Sequence, residues 1–109
     1  MAFTITGTIA DTTATLNLVG ELDAAAAPAF REQVDAASAA HVKELILNMG
    51  DLEYMSSAGL RVLIYAKQKM GTGVDLILVG TQPMVLDTLQ KTGFHHSVTL
   101  VDSAGGTTD

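Results

Sequence analysis

The chain has 109 residues, enough for one domain and too few for two, and its 48% hydrophobic and 17% charged content is globular rather than disordered. Twelve acidic residues against six basic ones give a formal net charge of −6, and the scattered Arg31, Lys43, Arg61, Lys67, Lys69 and Lys91 form no basic patch, which argues against a nucleic-acid partner. With no cysteine, disulfides, thiolate nucleophiles and the common zinc sites are excluded.

The opening "MAFTITGTIA" lacks the basic start and long apolar stretch of a signal peptide, and no segment approaches the roughly 18 apolar residues of a membrane span. The expectation is a cytoplasmic protein with no membrane contact. "AFTITGTIA" has strand composition, and "TATLNLVG" alternates Ala14, Leu16 and Leu18 with Thr13, Thr15 and Asn17, the period of a strand with one buried face. With Asp11-Thr12 as a turn, the two form an antiparallel hairpin. "ELDAAAAPAFREQVDAASAA" follows as a helix, with Phe30, Val34 and Ala37 in one apolar stripe. Pro28 belongs in its first turn, where a missing N–H costs nothing, so the N-cap falls at Ala25 or later. Asp23 then has no obvious capping task.

"VKELILNM" predicts a strand, and the unbroken Leu45, Ile46 and Leu47 predict burial on both faces. "GDLEYM" reads as a loop. "SSAGLRVLIYAKQKM" reads as the second helix. Its wheel places Leu60, Val62, Leu63, Ile64, Ala66 and Met70 on a broad apolar side, with Lys67 snorkelling from it, and Arg61, Tyr65, Gln68 and Lys69 on the other. Gly71 stops it. A strand over 74–80, a helix from Pro83 to the residues before Gly93 and a short strand over 96–102 complete the domain, 1–102, and residues 103–109 form a polar tail expected to be disordered. The order β-β-α-β-α-β-α-β gives an α/β fold: one small mixed sheet, an antiparallel hairpin followed by parallel crossovers, with helices packed on it.

No enzyme site emerges. His41, His95 and His96 have no nucleophile elbow nearby, adjacent His95 and His96 diverge and make a poor metal pair, and "GTG" at 71–73 follows a helix, the wrong place for a dinucleotide loop. No catalytic residue, metal or cofactor is expected. Ser56 and Ser57 remain, with two readings. One serine suffices to cap the second helix. The other could be a chemical handle, because a phosphate at a helix N-terminus meets free N–H groups and partial positive charge.

"GELD" after the strand pair, then "LILNMGDLEYMSSAGLRVLI", resembles the STAS domain and, more narrowly, the bacterial anti-sigma factor antagonists, over residues 3–101. The resemblance implies a non-enzymatic, monomeric binding module. Unphosphorylated, such a protein holds an anti-sigma factor that is also a serine kinase. Phosphorylation at the start of the second helix releases that kinase, and a phosphatase resets the switch. Carried over by motif, the acceptor is Ser57, and Asp23, Ser56, Ser57, Ala58, Gly59, Leu60 and Arg61 form the partner-binding patch. Two positions differ from the commonest pattern: Ser56 stands where Asp is usual and Ala58 where Ser or Thr is frequent, which makes Ser56 a rival acceptor. The alternative is a STAS domain that binds a nucleotide, as some members are reported to do, or another ligand, or that scaffolds a different signalling complex, with the serines only capping the helix.

Overall fold

A computed structural model describes residues 3–102; the tail over 103–109 lies outside the described residues. Strands β1 (Phe3–Ala10) and β2 (Thr13–Leu22) pair antiparallel from Phe3 opposite Gly20 to Ala10 opposite Thr13. Asp11 makes the turn at φ 55°, the left-handed region that aspartate tolerates better than most residues, so the hairpin closes without an Asn-Gly or Asp-Gly pair. Then come α1 (Ala27–Ala39), β3 (Glu44–Met55), α2 (Ser57–Met70), β4 (Asp75–Val79), α3 (Pro83–Thr92), a 3₁₀ turn (Phe94–Ser97) and β5 (Thr99–Val101). The sheet order is β1-β2-β3-β4-β5, with every pair after the hairpin parallel. The expected final strand over 96–102 is shorter, because Phe94 turns inward and residues 94–97 coil beneath it.

Monotonic strand order and right-handed crossovers place all three described helices on one face of the sheet. Leu16, Leu18, Leu45, Leu47, Met49, Leu76 and Leu78 point into that face and join Phe30, Val34, Leu63, Val85 and Leu89 of the helices in one core. The alternate residues point to the uncovered face, where Ile46, Asn48, Ile77 and Val79 are half-buried and Asn17 is exposed. The expectation that β3 is buried on both faces is therefore corrected. Its unbroken apolar run arises because the uncovered face carries aliphatic residues at its centre.

The expectation of a loop over "GDLEYM" is corrected too: β3 continues to Met55. Between the Asn17–Asn48 and Leu22–Met55 pairs, the register shifts twice, and each shift gives β3 one residue more than β2. These are β-bulges, and each resets which face a side chain meets. Met49, Leu52 and Met55 are consequently all buried at a spacing of three. A period-two search stops at the first bulge.

Candidate functional site

The parallel pairing of β3 with β4 ends at Asn48–Val79, whereas its pairing with β2 runs on to Met55. The long strand thus delivers α2 beside the end of β2. The Ser56 N–H donates to the Leu22 carbonyl at 2.9 Å, which sets the two serines next to Asp23.

Ser56 is the N-cap of α2, with φ −80° and ψ 174°, and its Oγ accepts from the Gly59 N–H at 3.4 Å. Ser57 is the first helical residue and is exposed, and among the described residues its hydroxyl makes no hydrogen bond. The structure therefore separates the two neighbours: one caps, the other is free.

As expected, Asp23 does not cap α1, but its side chain holds the turn before that helix. Its Oδ1 accepts from the Ala26 N–H at 2.9 Å, and its carbonyl accepts from Ala26 at 3.1 Å and Ala27 at 3.0 Å. It closes the turn that precedes α1, whose own N-cap is Ala26, within the range that Pro28 requires. The carboxylate is thereby pinned, half-buried, at the rim of a shallow open groove lined by Phe3, Ala25, Ala26 and Ala29.

Of the other patch residues, Arg61 is exposed and Ala58 is half-buried. Gly59 and Leu60, the other two residues assigned to the patch, are buried. Leu60 belongs to the core stripe of α2. A Cβ at Gly59 would lie 2.8 Å from Leu22 Cγ and Cδ2 and 2.9 Å from Met55 Cγ, so the glycine lets the helix start press against both strand ends. These two residues shape the patch from beneath. The sequence reading missed Tyr54, which is 43% exposed at the end of β3 opposite Glu21. Its outward direction follows from the second bulge, which left no sequence signal.

Tyr65, which the wheel places on the polar side of α2, is half-buried. Its hydroxyl donates to Asp35 Oδ1 at 2.5 Å, and the Arg31 guanidinium lies 4.2 Å from its ring centroid. It ties α2 to α1. His41 follows α1, and His95 and His96 lie in the turn after α3, where, contrary to the expectation that they diverge, the 3₁₀ backbone brings their rings together at 3.9 Å between centroids, tilted by 38°. All three histidines therefore sit where the parallel strands begin, the edge opposite Ser57, and none is placed to serve it as a general base. Among the described residues no group of three His, Cys, Asp or Glu side chains could hold a metal, and no helix is long and apolar enough to cross a membrane.

A five-stranded sheet open on one side, with a helix N-terminus raised beside the end of β2, defines the class of protein. The chain belongs to the STAS domain family, whose model matches residues 4–105. It is 40% identical over 68 residues to BtrV of Bordetella bronchiseptica, a protein assigned as an anti-sigma factor antagonist. That match covers 58% of this chain and 59% of BtrV, so the chain spans about three fifths of that relative. The fold also matches the crystal structure of an anti-sigma factor antagonist from Mycobacterium paratuberculosis, with a TM-score of 0.82 at 23% identity over 91% of this chain and 85% of that one. The phosphorylated form of the Bacillus cell-fate determinant SpoIIAA matches with a TM-score of 0.75 at 23% identity, over 95% of this chain and 93% of that one. At such identities these likenesses establish the fold.

Proposed function

We propose that this chain is an anti-sigma factor antagonist that works as a phosphorylation-controlled binding module. Unphosphorylated, it holds an anti-sigma factor with serine-kinase activity on the patch of Asp23, Ser57 and Arg61, underlain by Gly59 and Leu60. Phosphorylation of Ser57 releases that partner, and a phosphoserine phosphatase restores binding. The module acts as a cytoplasmic monomer and catalyses no reaction of its own, with neither nucleic acid nor membrane as a partner.

The observation that carries this reading is the division of labour between the serines. Ser56 Oγ is occupied by the Gly59 amide, while the Ser57 hydroxyl is exposed and unengaged among the described residues, where a kinase can reach it. A phosphate there adds about −1.5 to −2 charge at pH 7, beside the carboxylate of Asp23. The name of BtrV and the solved phosphorylated form of a protein with this fold support the same reading.

The test is phosphosite mass spectrometry of the protein from its native cells, because one tryptic peptide, residues 44–61, holds both serines. Phosphate is expected on Ser57. Binding of the anti-sigma factor should survive in Ser57→Ala and fall at least tenfold in Ser57→Asp. Full affinity in Ser57→Asp together with an unmodified peptide across growth states would falsify the switch.

A further inference from the structure

Ser57 and Arg61 stand four residues apart on α2, and both are exposed. Residues at i and i+4 share a helix face, and a helical side chain leans toward the N-terminus, over the turn before its own Cα. The turn that Arg61 covers is therefore the one that begins with Ser57. An anion at i with a cation at i+4 is also the favourable order along a helix. Arg61 is the first basic residue of α2, since Lys67 and Lys69 lie in the last turn. Among the described residues its guanidinium forms no ion pair; the ion pair found there joins Lys91 to Asp87 at 3.0 Å.

We propose that Arg61 is the intramolecular clamp for a phosphate on Ser57, an inference that rests on the switch reading above. The guanidinium presents a planar fork of N–H donors that two phosphate oxygens accept together, a geometry an ammonium cannot match. Asp23 cannot swing away to make room, because its carboxylate is held by the Ala26 amide. The phosphate is thus repelled from the β2 side and drawn along α2 toward Arg61. Modification then has two effects on the partner-facing surface. It installs negative charge, and it withdraws the cation that a docked partner meets beside Ser57. The partner suited to the unmodified patch presents an acceptor group opposite Arg61.

The test uses the full chain carrying genetically encoded phosphoserine at position 57, with ³¹P NMR followed against pH. The second ionisation of phosphoserine lies near pH 6, and a clamped dianion ionises earlier. The midpoint in the parent chain should lie about 0.3 pH unit below that in Arg61→Gln, a twofold change in the acid constant. Arg61→Lys should fall between them, and 1 M NaCl should close the gap. Glu21, Asp23 and Glu53 are the same in all three chains, so their repulsion cancels in the comparison. Equal midpoints in the parent and Arg61→Gln overturn the clamp. The titration contains no partner, so the two readings fail separately. An Arg61-dependent midpoint in a phosphoprotein that still binds its anti-sigma factor would sink the switch and support the clamp. Release from the anti-sigma factor with equal midpoints would do the reverse.

Discussion

Ser56 and Ser57 are neighbours in the chain but differ in the whole of their surroundings, and stability measurements separate them. Ser56 satisfies an amide that the first turn of α2 would otherwise leave to water, although at 3.4 Å the bond is long. Ser56→Ala should cost about 1 kcal/mol of unfolding free energy. Ser57→Ala removes no hydrogen bond and should stay within about 0.5 kcal/mol of the parent. Urea denaturation of both variants checks this, and equal losses would show that the cap is shared. Two residues on, Gly59 sets a sharper condition. Gly59→Ala recovers about 1 kcal/mol of helix propensity, but its methyl group enters the space of Leu22 and Met55, which are 0% and 4% exposed. Gly59→Val adds two more carbons there and brings β-branched crowding to the helix. It should destabilise by about 2–3 kcal/mol. If Gly59→Val unfolded at the parent's urea midpoint, the close approach of α2 to the strand ends would be wrong.

Among the elements, the helices were legible and the second half of the long strand was not, for one reason. Phe30, Val34 and Ala37, Leu60 and Leu63, and Val85 and Leu89 follow helical spacing without interruption, and Pro28, Pro83, Gly71 and Gly93 mark ends where backbone chemistry demands them. In β3 two bulges change the spacing of buried residues from two to three, so Leu52 and Met55 lose the pattern by which a strand is recognised. The candidate site was legible to the same extent. The serine pair and its helix were evident, but the outward direction of Tyr54 depends on the pairing of β3 with β2, distant in the chain. Leu60 was legible from the helical wheel alone, which places it inward, as it is found. The joint between α1 and α2 gives an element-scale prediction. Tyr65→Phe keeps the ring beneath Arg31 and removes the bond to Asp35 across a partly exposed gap. It should cost about 0.5–1 kcal/mol, and Tyr65→Ala, which also removes the packing, should cost more. Identical losses from the two variants in thermal unfolding would show that the hydroxyl alone joins the helices.

For the molecule as a whole, the consequence of strand order is a sheet with a covered face and an open one. Three crossovers of the same hand, made in the same direction, stack every described helix on one side. The open side is held by side chains bridging the strands: Asn48 Nδ2 donates to Asn17 Oδ1 at 2.6 Å, Asn17 Nδ2 to Thr6 Oγ1 at 3.4 Å, and Thr13 Oγ1 to Glu44 Oε1 at 3.0 Å. Such a ladder suits a surface that water shares, and it leaves the helical face to supply the burial. Adjacent residues of β3 therefore carry unequal weight. Leu47 is 0% exposed in the core, while Ile46 beside it is half-buried on the open face. Leu47→Ala leaves a cavity that the close-packed helices cannot collapse, and should cost about 3 kcal/mol within the usual 2–5. Ile46→Ala removes similar atoms from a face where solvent fills the gap, and should cost less than half as much. Equal losses in urea denaturation would mean that both faces are covered in solution, and the surface offered to partners would then shrink to the strand ends, where Asp23, Tyr54, Ser57 and Arg61 stand.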